Sequence, residues 1–248
     1  MSRCRGLLVV LAVGIGLLAG AAPALAAFAP VWPSAISFPA GSRTVPGGTG
    51  ALAVWSTSEE SGHGSNIQVV TTIWAQGADG SDGALTPAAG RALVELPVDH
   101  ALGEGLAVAS DGADGLLVAW KDTTSGVSWL QRFDPTLEAS YAAVELCRDD
   151  DLAAAFGAGA GATLVEVMAD GLESGGVGGG CYVRQRLSPS SAGGDTLLNH
   201  VTGAGVRAAD APGLRVTGGS IGSLTVDSSG RACVLLVPPG RSDAALDR

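Results

Sequence analysis

Apolar residues in this chain come in short runs closed by glycine-containing turns, and that pattern confines it to strands. The segments ALAVW at 51–55, LLVAW at 116–120 and ACVLLV at 232–237 are too short for ordinary helices. The most ordered stretch is 115–135, GLLVAWKDTTSGVSWLQRFDP. It reads as a β-hairpin: an apolar strand, a polar turn at 122–126 and a return strand over 127–133. On the return strand Val127, Trp129, Gln131 and Phe133 share one face, while Ser128, Leu130 and Arg132 share the other. With 248 residues, 38 of them glycine and 46% hydrophobic, the chain is long enough for a sizeable β core.

Pieces of the hairpin pattern recur. A first unit begins at Arg43, with strands at 44–45, 51–55 and 67–73 and Gly-rich loops at 56–66 and 77–90. The second runs through 106–109, the turn at 111–115, then 116–120 and 127–133. The third holds 163–168 and 181–187. The fourth holds 224–227, a turn at 228–230 and 232–237, with no return strand. Trp55, Trp120, Val167 and Leu235 serve as anchors of the apolar strands. Gln185-Arg186-Leu187-Ser188-Pro189 matches Gln131-Arg132-Phe133-Asp134-Pro135 in order, which puts Arg132 and Arg186 at equivalent repeat positions. Such a unit of roughly 50 residues fits a propeller blade or a sandwich meander. The expectation is an all-β, β-propeller-like domain of about four blades, with a β-sandwich as the alternative. Residues 31–38, between prolines, read as an edge strand able to close the ring by completing the last blade.

The segments 108–135 and, more loosely, 184–237 resemble a degenerate repeat of bacterial secreted β-propellers. In that repeat an Asp-Gly turn leads into an apolar strand ending in Trp, then a Gly-containing hairpin and a Gln-Arg strand. The resemblance implies fold and export and carries no catalytic residue. The Trp is missing from the third and fourth units.

Residues 1–26 read as a Sec-type signal peptide. Arg3 and Arg5 precede an apolar run at 7–18, Pro23 breaks it, and Ala24-Leu25-Ala26 supplies the small-x-small cleavage pattern. The mature domain is then 27–248, secreted or periplasmic, with no later apolar run of membrane-spanning length. It keeps 12 basic residues against 24 acidic ones. A net charge of −12 repels phosphate backbones and anionic headgroups, which excludes nucleic acid and membrane as expected partners. Protein or carbohydrate partners remain. Three cysteines stay in the mature chain. A disulfide between Cys147 and Cys181 is the pairing expected of an exported protein, with Cys233 as a buried thiol in its apolar run.

The motifs that touch chemistry are weak. Residues 218–222 fit G-x-S-x-G, but a strand follows in place of the helix a nucleophile elbow needs, and no histidine lies after His200. The Gly-Ala run at 157–162 lacks the following helix of a dinucleotide fold. Acids gather at Asp79/Asp82, Asp111/Asp114 and Asp149 to Asp151. None has EF-hand spacing, and aspartate favours such turns for its own backbone hydrogen bonds. Asp149, Asp150 and Asp151 form the best Ca²⁺ candidate, since adjacent carboxylates need neutralising. No other cofactor is implied. His63, His100 and His200 stand alone in sequence and read as surface or loop residues. Trp55 and Trp120 read as core, and Trp74, beside a polar loop, as a carbohydrate-stacking candidate. Arg132 and Arg186 are candidate ligand contacts, and Asp122, Glu166 and Arg184 are further candidates for a channel lining. The expected function is a non-enzymatic binding or interaction domain. The alternative is an extracellular glycan-acting hydrolase, which needs two carboxylates facing each other across a sugar.

Overall fold

Strands make up nearly every element of the computed structural model, which describes residues 42–48, 50–63, 66–80, 84–104, 106–171, 179–188, 195–209, 212–217 and 220–237. All of these lie in the unit Ser37–Arg248. The segment 1–26, with its signal-peptide features, and the strand expected at 31–38 lie outside the described residues. The first sheet holds β1 (Arg43–Gly47), β2 (Gly50–Ser61), β3 (Gln68–Ala78) and β4 (Leu85–Glu95). The second holds β5 (Ala107–Ser110), β6 (Leu116–Asp122), β7 (Val127–Phe133) and β8 (Val144–Arg148). A short helix, α1 (Asp149–Phe156), leads to the third: β9 (Gly161–Ala169), β10 (Cys181–Ser188), β11 (Thr196–Val201) and β12 (Leu214–Val216). A hairpin of β13 (Ser220–Val226) and β14 (Ala232–Val237) ends the described chain. Every sheet is antiparallel and its strands follow chain order. The chain is therefore all-β in character, with four antiparallel sheets among the described residues.

The second sheet is the centre of the packing. Its strand β6 is buried at Leu116, Leu117, Val118, Ala119 and Trp120 alike. Successive strand side chains point to opposite faces, so continuous burial means that both faces are covered. Leu116, Val118 and Trp120 pack with Val54, Ile73 and Ala75 of the first sheet. Leu117 and Ala119 pack with Leu164, Val167 and Val183 of the third. Cys147, Leu152 of α1, Leu187 and Leu197 form a third cluster. The first strands are neighbours across sheets: β1 lies beside β5, β5 beside β9, and β9 beside β13. Such cover is missing from β14, whose Val234, Leu235 and Leu236 are exposed.

Several elements differ from the sequence reading. The loop expected at 77–90 contains most of β4, which carries Pro87 and Gly90. As an edge strand paired only with β3 it tolerates a proline. Gly90 takes φ 77°, and a Cβ there would come within 2.9 Å of the Trp55 ring. β2 also continues through the segment read as a loop, to Ser61. β8, α1, β11 and β12 were not anticipated. The helix begins with three aspartates in its first turn, where the partial positive charge of the helix N-terminus favours them.

The equivalences expected between units do not hold. Gln131-Arg132 lies on β7, the third strand of its sheet, whereas Gln185-Arg186 lies on β10, the second strand of its own. The two pairs are not equivalent. Trp120 faces Trp129 across β6 and β7, and Trp55 faces Trp74 across β2 and β3. The matching pair in the third sheet is Gln185 and Leu197. Val167 sits on a first strand, β9, and is no counterpart of the tryptophans.

Candidate functional site

An aspartate follows the first strand of three units, and each closes the turn there. The backbone N–H of Asp111 donates to Gly115 O at 3.1 Å, that of Asp170 to Gly180 O at 2.9 Å, and that of Asp227 to Arg231 O at 3.0 Å. The Asp111 carboxylate accepts from the N–H groups of Ala113 and Gly115 at 2.8 and 2.7 Å and from Arg132 Nε at 2.8 Å. Arg132 Nη2 lies 2.6 Å from the same carboxylate, with the Asp111 side chain fully buried. Gly115 is required at this approach, since a Cβ would sit 2.5 Å from Asp111 Oδ2 and 2.5 Å from Phe133 O.

The third sheet repeats this arrangement with different side chains. A Cβ on Gly180 would meet Val201 O at 2.3 Å and Asp170 Oδ2 at 2.7 Å. Cys181 pairs with Val201 as Leu116 pairs with Phe133. The residue before Val201 is His200, and its Nε2 lies 3.0 Å from Asp170 Oδ2. His200 therefore stands where Arg132 stands in the second sheet. Its ring stacks on Tyr182 at 4.4 Å, and Tyr182 Oη donates to Gly230 O in the terminal hairpin at 2.9 Å. In that hairpin the Ser229 hydroxyl, the N–H groups of Arg231 and Ser229, and Arg231 Nε hold the Asp227 carboxyl down to about 2.

The residues singled out from sequence fall in several places. Arg132 is buried against Asp111. Arg186 is exposed on β10, between Thr163 and Thr196 on the flanking strands. Trp74 is half-buried, and its Nε1 donates to Thr57 Oγ1 at 2.9 Å within the sheet. Of the expected channel residues, Glu166 lines a cavity of about 540 Å³ with Arg43 and first-strand residues of β5 and β9, and Arg184 pairs with it at 3.1 Å. Asp149 does not stand with Asp150 and Asp151 as a ligand set. Lys121 Nζ donates to both its oxygens, at 2.8 and 2.9 Å, and to Ala162 O. Asp150 and Asp151 are exposed, and no group of three or more metal-ligating side chains occurs among the described residues.

Cys147 and Cys181 are separate buried thiols, not a disulfide. Cys147 Sγ lies 3.3 Å from Gln185 Nε2, and Cys181 stands four residues earlier on that strand, roughly 13 Å away. Burial pushes the Cys181 thiol up to about 12 and raises Cys147 as well. Cys233, expected to be buried, is exposed because β14 has an uncovered face. Ser220 of the G-x-S-x-G segment opens strand β13 and leads into no helix.

The grouping that sequence reasoning missed centres on His100. It lies between β4 and β5, where Asp99 takes φ 63° and exchanges bonds with Val69: its N–H donates to Val69 O, and its carboxylate accepts from Val69 N. Leu102 then pairs with Asp122 at the end of β6. His100 Nδ1 comes 2.6 Å from Asp122 Oδ2. The same carboxylate accepts from Ser125 Oγ at 2.6 Å and from the N–H groups of Thr124 and Ser125. Burial pulls the Asp122 carboxyl up, but these hydrogen bonds together outweigh it and hold it below the usual range. An ionised Asp122 only accepts, so Nδ1 carries the imidazole proton. Serine, histidine and aspartate are all present, yet Ser125 is bonded to the aspartate and not to the imidazole. That connectivity activates no nucleophile.

His100, Asp122 and Ser125 line a cleft of about 320 Å³ between the ends of the first and second sheets, walled by Trp120, Trp129, Leu96 and Pro97. The only sequence signal for it was the Asp122-Thr123-Thr124-Ser125 turn, a form that favours side-chain bonds to its own backbone. No family model, curated protein or solved structure matches the chain.

Proposed function

We propose that the chain is an exported, non-enzymatic binding domain built on a β-propeller-like scaffold of about four sheets, closed or open. Sequential four-stranded meanders whose first strands neighbour one another support the propeller over a sandwich. The observation that carries the functional reading is the commitment of charged side chains to the architecture. Asp111 with Arg132, Asp170 with His200 and Asp227 with Arg231 each fasten a turn, and Asp149 with Lys121 joins α1 to β6. The Ser125, Asp122 and His100 group is connected for rigidity, not for attack. The partner is a protein, a carbohydrate or a small molecule, and the negative net charge argues against nucleic acid.

The test is turnover. The mature chain, offered a panel of chromogenic glycosides, is expected to release no chromophore above buffer. Release that disappears on substitution of a single Asp or Glu would establish the hydrolase alternative.

A further inference from the structure

We propose that the cleft between the first and second sheets binds a small, neutral, planar aromatic molecule carrying one O–H or N–H donor, a phenol or an indole, with His100 Nε2 as acceptor. This deepens the binding-domain reading and rests on it. The walls come first. Trp120 and Trp129 face each other across β6 and β7, and with Leu96, Pro97 and Ala143 they make the lining predominantly apolar and aromatic. Small-molecule sites combine such walls with a few placed polar groups. The cleft's volume of about 320 Å³ is at the lower end for such sites, which selects one- or two-ring ligands.

The polar group is His100. Asp122 holds Nδ1 at 2.6 Å, so in the neutral imidazole the proton sits on Nδ1 and Nε2 presents a lone pair. No other hydrogen bond to the ring is formed among the described residues. Asp122 itself is held in place by Ser125 and Thr124, so the carboxylate that orients the ring is fixed. An acceptor fixed in this way selects a donor. Anionic ligands are disfavoured. Arg148 at the rim is already paired with Glu145 at 2.7 Å, Glu95 also lines the cleft, and the mature chain is strongly negative.

The full mature chain, titrated with 2-naphthol, naphthalene and 2-naphthoate and followed by calorimetry and by the indole N–H resonances of Trp120 and Trp129, tests this. Expected is saturable binding of 2-naphthol that shifts both indole signals. Naphthalene should bind about tenfold more weakly for want of one hydrogen bond, and 2-naphthoate weaker still. His100→Phe should lose the preference for naphthol over naphthalene while the β circular dichroism signal is unchanged. Ser125→Ala, which leaves the Nδ1 contact in place, should keep it. No shift of either indole signal at saturating naphthol, or an undiminished preference in a folded His100→Phe chain, overturns the proposal. Incubation with 2-naphthyl acetate separates the two readings: hydrolysis lost on His100→Phe overturns the non-enzymatic reading, whereas absent hydrolysis with absent binding overturns only the site.

Discussion

The second and third sheets share a register and a turn, and they use different chemistry at corresponding positions. In the second, the aspartate that follows the first strand is clasped by an arginine, and two tryptophans face each other across the central strands. In the third, the aspartate is clasped by a histidine, and the tryptophan pair becomes Gln185 and Leu197. Gln185 is fully buried. Its Oε1 accepts from Asn199 Nδ2 at 3.0 Å, and its Nε2 reaches the Cys147 thiol. The backbone rule is common to both: an Asp N–H bonded to a glycine carbonyl, and a glycine too close to the aspartate and the facing strand for any Cβ. The turn and the register are common to the two sheets, and the side chains that stabilise them differ.

The comparison is broken most severely at Arg132. Arg132→Ala leaves the Asp111 carboxylate buried beside only two backbone donors. Orphaning a buried charge costs about 3–5 kcal/mol, to be read as a lowered midpoint in urea. His200→Ala removes the equivalent clasp, but the histidine side chain is 27% exposed, and the expected loss is smaller, about 1–2 kcal/mol. Equal losses at the two sites would dissolve the distinction between a sealed clasp and a partly wetted one. Next comes Gln185→Leu, which makes the third sheet more like the second. It deprives Asn199 of its 3.0 Å acceptor, and urea melts should show a loss of about 1 kcal/mol. A gain would mean that apolar packing outweighs the polar network there.

The smallest effect is expected in the terminal hairpin, whose acid turn repeats the motif at the surface. Asp227 is depressed to about 2 from 3.8 in the unfolded chain. Its contribution is complete above about pH 4 and is lost as pH falls through about 2. Exchange protection of the Ser229 and Arg231 amides, taken relative to an unstructured amide at the same pH, should fall over that window and be flat from pH 5 to 7. A transition near neutrality would assign the turn to another group.

Strand character was legible because the apolar runs were short and bounded by glycine, and 106–135 was legible almost residue by residue. β4 was hidden by Pro87 and Gly90, both permitted by an edge position that only the sheet reveals. β11 and β12 follow a Ser/Gly-rich stretch and lack the tryptophans that marked the earlier units. The matching Gln-Arg pairs misled because sequence order carries no information on which strand of a sheet a pair occupies. The clasp was invisible for a related reason: Asp111 and Arg132 lie 21 residues apart and Asp170 and His200 lie 30 apart, and only the strand register, Leu116 opposite Phe133 and Cys181 opposite Val201, brings them together. The His100 cleft joins residues of two sheets, which no local pattern encodes.

One clasp, an aspartate just after the first strand and a base on the third, fastens both sheets. Two double-mutant cycles at a single pH test it directly, one over Asp111→Asn and Arg132→Ala, the other over Asp170→Asn and His200→Ala. Coupling is predicted at both pairs, larger at Asp111 with Arg132. Additive losses at Asp170 and His200 would contradict the equivalence of the two sheets.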